Sequence, residues 1–164
     1  MEKQNAELKK FTDLVTTVRI CSLVTHSEND VMKGRPMSVS EVDDFGNLWF
    51  FTNEFTEKVD EISKNNEVLL TFAQPSDNLY VMVNGSASLV SDRARIVELW
   101  NPALKAWFPD GLEDANMKLL KVEPNEVEYW TGSSSKLVVA FKMLQALVKG
   151  EQYSNGEHKK INIP

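Results

Sequence analysis

A segment that could bind an anion lies around Thr56 and Lys58, where a strand pattern changes into a helix pattern. The aromatic run before it, Trp49-Phe50-Phe51, is typical of a buried strand. Thr56 is the predicted capping residue, an acidic first turn follows it, and Phe55, Val59 and Ile62 are spaced as on one helix face. A helix that begins directly after a strand presents unpaired backbone N–H groups, which bind phosphate readily. Taken alone, the segment is also consistent with an ordinary capped helix that carries an exposed lysine.

Two further clusters extend this anion site. Arg35 stands beside Pro36 in a predicted strand, and a hairpin turn over 43–47 is expected to bring Arg35 next to Lys58. An arginine fork, a lysine and backbone donors together are typical of a phosphate site. The segment ELWNPALKAWFPDG adds flat aromatic surface with three side chains: Trp100, Trp107 and Phe108. We interpret the three clusters as a site for a phosphorylated, aromatic cofactor.

Motifs for catalytic side chains are missing from the sequence. It contains no G-x-S-x-G, H-E-x-x-H or P-loop pattern. Asp43-Asp44 is typical of a turn rather than of an acid/base pair. Cys21 lies in an apolar run and is interpreted as a buried, inert thiol, and two histidines are too few for a typical metal cluster. Catalytic residues therefore stay unassigned, and no metal site is predicted.

Length and composition favour one globular domain. The chain has 164 residues, a net charge of −6 and a pI near 5.0, which argues against nucleic-acid binding. A single cysteine excludes an internal disulfide. No apolar run reaches the ~20 residues that a membrane-spanning helix needs, and the polar N-terminus does not have the apolar core of a signal peptide. We expect a cytoplasmic protein.

The predicted elements fit an α+β fold. Helices are predicted over 2–17, 56–64, from Asp92 and over 136–149, and seven strand segments are predicted over 19–25, 35–42, 48–52, 68–73, 78–90, 117–122 and 126–130. Gly85 indicates a bulge or a tight bend within its strand. Six or seven antiparallel strands with flanking helices predict a closed or half-open barrel. Residues 1–150 form the expected single domain, and 151–164 a mobile polar tail.

The last predicted helix has a wide apolar face: Leu137, Val138, Phe141, Leu144, Leu147 and Val148. Such a face needs cover on more than one side. Two interpretations remain open. The helix either packs deep on the barrel or forms a contact between two copies of the chain.

Six motifs in this order and spacing resemble a known family: RPMS, LWFFTN, TEKVDEI, VNGSASLVSDR, ELWNPALKAWFPDG and EYW. Over roughly residues 8 to 132 the chain resembles the general stress protein 26 branch of the pyridoxamine 5′-phosphate oxidase-like, FMN-binding split-barrel superfamily. The resemblance implies a split-barrel homodimer with FMN in clefts at the interface. FAD and the deazaflavin F420 are alternative cofactors, and haem is a further one.

The resemblance also implies roles for individual residues. Arg35, Pro36 and Met37 would line the flavin, with main-chain groups of Arg35 and Met37 near its ring. The facing strand would supply Phe50, Phe51 and Thr52, and the phosphate would be held by Thr56 and Lys58. The isoalloxazine would lie near Trp100, Trp107 and Phe108.

The sequence indicates the function of the protein less closely than its fold. The chain lacks the basic substrate-binding stretch and the Arg-Leu-Ala-Pro ending of true pyridoxamine phosphate oxidases, which argues against that substrate. The first hypothesis is a flavin-dependent oxidoreductase of unknown substrate, with a role in stress as one reading. The second is a flavin-binding stress protein without turnover, and the third is a split barrel that uses F420 or haem.

Overall fold

The structure, a computed structural model, describes residues 2–161 and 163. Its described helices are α1 (Glu2–Val18), α2 (Glu57–Lys64), α3 (Arg93–Leu99) and α4 (Lys136–Lys149). Its described strands are β1 (Ile20–His26), β2 (Met32–Ser38), β3 (Glu41–Val42), β4 (Leu48–Asn53), β5 (Glu67–Gln74), β6 (Leu79–Val90), β7 (Met117–Thr131) and β8 (Glu157–Ile161). Short 3₁₀ turns connect several of them.

All strand pairs in the described chain are antiparallel, and the strands lie in the order β2-β1-β5-β6-β7-β4-β3. The segment between β2 and β3 links the two ends of this sheet. Val39 donates its backbone N–H to the carbonyl of Arg19, and Ser40 donates to the carbonyl of Trp49. Because one chain segment bonds to both ends, the sheet curls into a half-barrel, and the predicted α+β split barrel is confirmed.

Strand β4 shows why its sequence is apolar without alternation. Leu48 and Phe50 point into the main core inside the barrel, whereas Trp49 and Phe51 belong to a second cluster on the outer face. Residues from α3 and the following loop cover that outer face, including Ile96 and Phe108. A strand buried on both faces reads as a continuous apolar run.

Two strand boundaries differ from the sequence prediction. The strand predicted over 35–42 is divided, because β2 ends at Ser38 and β3 begins at Glu41. The two strands predicted around Pro124 are wrong, since β7 runs unbroken through this region. Its pairing with β6 shifts here by one residue, and Asn125 is the extra residue. A bulge is therefore present beside Gly85, but its extra residue is on β7 and not on the strand of Gly85. Gly85 is required opposite it because a Cβ there would lie 2.5 Å from the carbonyl oxygen of Glu123.

The C-terminal segment also differs from prediction. The sequence pattern predicts no strand after Gly150, but β8 pairs with the second half of β7, and Ile161 is buried in the main core. Residues 157–161 are therefore part of the sheet and not of a tail.

Helix α4 ends at Gly150, which has a positive φ as the predicted stop requires. The interpretation that α4 packs deep on the barrel is wrong, because Leu137, Leu147 and Val148 are each at least 80% exposed. None of the described helices combines the length and the apolar character that crossing a membrane requires.

Candidate functional site

Arg35 is held in place by two buried side chains. Its Nη2 donates to Oε2 of Glu61 at 2.8 Å, and its Nη1 donates to the hydroxyl of Thr25. Thr25 in turn donates to the same Glu61 oxygen at 2.5 Å. Glu61 is only 5% exposed, and Thr25 is fully buried. The guanidinium of Arg35 therefore has a fixed position at the end of the sheet, and we call this group of three residues the arginine clamp.

The clamp keeps a carboxylate ionised in a buried place. Burial raises the pKa of Glu61. Hydrogen bonds from Thr25 and Arg35, together with the positive charges of Arg35 and Lys33, outweigh this effect, so the pKa is lowered overall. Lys33 Nζ lies 3.7 Å from Oε1 of Glu61 and pairs with Glu57. Oε1 itself has no hydrogen-bond partner among the described residues.

Lys58 is the opposite case, a cation that finds no counter-ion in the part of the chain that the structure describes. It is half-buried and forms no ion pair with any described residue. Burial lowers the pKa of Lys58, and the charge of Arg35 lowers it further. On the same helix, Lys64 has a raised pKa because it bonds to Asp60 and Glu28. Two neighbouring cations, one of them unpaired and partly dehydrated, create a site where an anion would be stabilised.

Helix packing, and not the hairpin, brings Arg35 and Lys58 together. The prediction that the turn over 43–47 makes them neighbours is wrong, because β2 and β4 lie near opposite ends of the strand order. Helix α2 packs against β1, the neighbour of β2, and Glu61 then bridges to Arg35. Arg35 and Lys58 are therefore brought together by the packing of α2 on the sheet and not by a local turn.

The start of α2 is open as the anion hypothesis requires. Thr56 has the extended backbone of a capping residue, but its hydroxyl donates to the carbonyl of Asn53 at 3.1 Å and caps no helix amide. Among the described residues, the N-terminal cap position of α2 provides no side-chain acceptor. The first-turn N–H groups are thus without a side-chain acceptor. Phe55, predicted on the apolar face of this helix, precedes it and is 78% exposed.

The predicted aromatic residues form a separate cluster. Phe51 packs edge-on against Trp100, with ring centroids 6.0 Å apart, and against Phe108 at 6.2 Å. These rings lie on the outer face of β4, opposite to Phe50 and Thr52, which are buried on its inner side. None of the three residues of the arginine clamp belongs to this cluster.

Three other predicted site residues differ in how far they are exposed. Pro36 is exposed on the outer face of β2, Met37 is half-buried against the main core, and Trp107 is 73% exposed. The phosphate-binding candidates are brought together, whereas the ring-binding candidates are distributed over several surfaces.

Sequence analysis missed Glu61, Thr25 and Lys33. Glu61 follows Lys58 by three residues and precedes the buried Ile62, so it lies toward the body of the protein. An acidic residue on the buried side of a helix is the signal that could have identified it, because such a charge needs a partner.

Comparison with known proteins agrees with this architecture. The family model described as pyridoxamine 5′-phosphate oxidase like matches residues 6–154. General stress protein 26 of Bacillus subtilis is 27% identical over 124 residues, which are 73% of this chain and 84% of that protein.

Two solved structures show the same fold. A Jannaschia sp. CCS1 protein named general stress protein 26 superposes with a TM-score of 0.75 at 23% identity, covering 96% of this chain and 99% of the other. The general stress FMN/FAD binding protein of Xanthomonas citri superposes with a TM-score of 0.67 at 24% identity, covering 82% and 93%. With a family model that spans nearly its whole length, the chain belongs to the pyridoxamine 5′-phosphate oxidase-like family.

Proposed function

We propose that the chain binds FMN in clefts at the interface of a homodimer and acts as a flavin-dependent oxidoreductase on a substrate still to be identified. The observation that carries the proposal is Lys58, an unpaired and half-buried cation beside the clamped Arg35 at the uncapped start of α2. Membership of the family supports it, as does the Xanthomonas citri relative, which is named as an FMN/FAD binding protein.

The residues at this site fit a phosphate. A phosphate dianion would supply the counter-ion that Lys58 does not find among the described residues, and it would accept from first-turn N–H groups of α2. Glu61 accepts from Nη2 of Arg35 and Thr25 accepts from Nη1, which leaves other N–H donors of the guanidinium for a ligand. Binding of a phosphate should therefore raise the pKa of Lys58 from its lowered value.

The ring of the cofactor would lie along β2. This strand ends the sheet, so the main-chain groups of its outer edge have no strand partner among the described residues and can pair with the polar edge of a flavin. Bound flavin would supply the electron chemistry, and the chain would bind and orient it. The outer face of β4 carries the cluster of Phe51, Trp100 and Phe108. Any aromatic contact to the flavin ring would therefore have to come from a second copy.

Binding measurements with two ligands test the phosphate assignment. FMN and riboflavin differ by the phosphate, so Lys58→Ala and Arg35→Ala should each weaken FMN binding about tenfold or more, since a charge-assisted hydrogen bond contributes about 1.5–3 kcal/mol. Riboflavin binding should change less than about twofold. Quenching of flavin fluorescence measures both affinities.

Lys9→Ala is the matched control, because Lys9 is an exposed lysine paired with Asp13 on α1. It should leave both affinities unchanged. Equal losses of FMN and riboflavin in the Lys58 and Arg35 variants would contradict the phosphate assignment, and a protein that binds neither ligand would contradict the flavin.

Turnover is tested separately. Saturable oxidation of a reduced nicotinamide by the flavin-loaded protein would support the oxidoreductase, whereas flavin that stays inert to all donors would support a binding protein. The absorption spectrum and mass of the extracted cofactor distinguish FMN from FAD and F420.

A further inference from the structure

Lys58 differs from the neighbouring lysines in the surroundings of its amino group. Lys33 pairs with Glu57, and Lys64 pairs with Asp60. These carboxylates raise the pKa of both lysines, so both remain protonated near neutral pH. Lys58 is half-buried and forms no ion pair with any residue that the structure describes. Its amine is therefore the one in this region that loses its proton most readily.

Burial and a neighbouring cation both favour the neutral form of the Lys58 amine. Burial is the larger effect, the charge of Arg35 adds to it, and the pKa of Lys58 is lowered. Glu61 lies one turn further along α2 but does not offset these effects, because it is already bonded to Arg35 and Thr25. A lysine that is desolvated, or that lies beside another cation, can act as a nucleophile near neutral pH.

The same region can hold the molecule that reacts with this amine. The guanidinium of Arg35 is fixed by Glu61 at 2.8 Å and keeps other N–H donors for a ligand. Side chains of a helix lean toward its N-terminus, and Lys58 is the second residue of α2. The Lys58 side chain therefore leans toward the first-turn N–H groups, where a phosphate is stabilised.

We propose that Lys58 is a nucleophilic amine that forms an imine with aldehydes carrying a phosphate group. The phosphate binds Arg35 and the start of α2, and the carbonyl carbon of the aldehyde meets Nζ of Lys58. The inference rests on the phosphate site of the proposed function and adds a covalent reaction at that site. A small phosphorylated aldehyde and FMN then compete for the same place.

The reaction needs no oxidant and no reductant. The lone pair of the neutral Nζ forms a bond to the carbonyl carbon, and the carbonyl oxygen takes up a proton. The carbinolamine then loses this oxygen as water, and nitrogen and carbon form a double bond. One amine and one aldehyde thus give one imine and one water molecule. The bound phosphate raises the pKa of Lys58, but it also holds the aldehyde beside Nζ, and this proximity outweighs the smaller fraction of neutral amine.

Labelling of the full chain with two aldehydes tests the proposal. The flavin-free protein is incubated with glycolaldehyde phosphate or with glycolaldehyde, and sodium cyanoborohydride reduces each imine to a stable secondary amine. Peptide mass spectrometry then locates the adducts. The phosphorylated aldehyde should label Lys58 at least about tenfold faster than glycolaldehyde does, because its phosphate gains charge-assisted hydrogen bonds. An excess of FMN or of inorganic phosphate should suppress this labelling.

Two variants test the part played by the neighbours of Lys58. Arg35→Met removes both the phosphate ligand and the neighbouring charge, so labelling of Lys58 by glycolaldehyde phosphate should fall about tenfold or more. Lys64→Arg is the matched control, since arginine keeps the charge beside Asp60 on the same helix, and it should leave labelling of Lys58 unchanged. Circular dichroism verifies that each variant is folded.

The pH dependence of labelling is measured on the wild-type chain and needs no variant. With glycolaldehyde, which brings no phosphate, labelling of Lys58 should begin at a lower pH than labelling of Lys64. The reason is that the pKa of Lys58 is lowered by burial and by Arg35, whereas the pKa of Lys64 is raised by Asp60.

Each contrary outcome has a distinct meaning. Labelling of Lys33 and Lys64 as fast as Lys58 overturns the assignment of a nucleophile. Equal rates for the two aldehydes at Lys58 overturn the role of the phosphate and, with it, the proposal. A protein that binds FMN through Lys58 but forms no adduct there overturns the inference and leaves the proposed function standing. A protein that neither binds FMN nor forms the adduct overturns both.

Discussion

Glu61 is the residue that gives the candidate site its geometry. Without it, Arg35 would be a long side chain at the end of a sheet, free to adopt many rotamers. The carboxylate of Glu61 holds the guanidinium at 2.8 Å and receives the hydroxyl of Thr25. Because Glu61 compensates only Arg35 and Lys33, the neighbouring Lys58 keeps its unbalanced charge. One carboxylate therefore orders one cation and leaves the other available.

Replacing Glu61 with glutamine should destabilise the protein in a pH-dependent way. The amide keeps an acceptor for Arg35 but loses the charge, so we expect a loss of about 1–2 kcal/mol in the free energy of unfolding at pH 7. The folded-state pKa of Glu61 is lowered, so its contribution is fully present above the unfolded value of about 4.3 and is lost as the pH falls through the folded pKa.

Urea unfolding of Glu61→Gln and wild type from pH 7 to pH 3 measures this effect. The two stabilities should converge toward the acidic end. Glu113→Gln, at an exposed position outside the clamp, is the control and should follow wild type throughout. A difference that is constant with pH would mean that the charge of Glu61 does not stabilise the fold.

At the scale of elements, the turn between β3 and β4 is organised by one carboxylate. Asp43 accepts hydrogen bonds from the backbone N–H groups of Phe45 and Asn47, from the Asn47 amide and from the indole of Trp49. These bonds outweigh burial, which raises the pKa of Asp43, and lower it overall. Asp43 thus acts as a turn residue, in agreement with the interpretation of Asp43-Asp44 as a turn pair.

Asp43→Ala should therefore cost about 2–3 kcal/mol of stability, because it leaves several donors without an acceptor at once. Asp44→Ala is the adjacent control, and since Asp44 is exposed it should change stability by less than about 0.5 kcal/mol. Thermal unfolding of both variants measures the difference. Equal effects would contradict the assignment of the turn to Asp43.

At the scale of the whole molecule, β7 is the strand on which the sheet is assembled. Its first half pairs with β4, its second half pairs with β8, and β6 pairs along its length. Strand β8 brings Ile161 into the main core and stacks His158 on Trp130, with ring centroids 4.6 Å apart. Strand β8, near the end of the described residues, therefore contributes to the core of the barrel through Ile161.

Ile161→Ala should lower the free energy of unfolding by about 2–4 kcal/mol, as expected for a large-to-small change in a core. Lys159→Ala, on the same strand and exposed, should change it by less than about 0.5 kcal/mol. Chemical denaturation measures both values. A mild effect of Ile161→Ala would indicate that β8 is weakly held against β7.

Local patterns in the sequence determined the elements and the polar half of the site. The apolar stripe of α1, the proline and glycine stops and the asparagine and aspartate caps each act within a few residues, so helix ends and most strands were predictable. The start of α2 with Lys58 was predictable for the same reason. The division near Ser38, the continuity of β7 and strand β8 were not, because each depends on a partner strand distant in sequence.

Only the tertiary structure decided how the site is assembled. Arg35 and Glu61 are separated by 26 positions, and no local pattern shows that α2 would pack beside β1 and join them. The positions of the aromatic side chains also depended on tertiary packing, since β4 buries alternate side chains in two different cores. The sequence alone supplied the charged groups and their approximate elements. Packing selected Glu61 as the partner of Arg35 and left Lys58 unpaired, because a charge is paired or left free according to which elements meet across the fold.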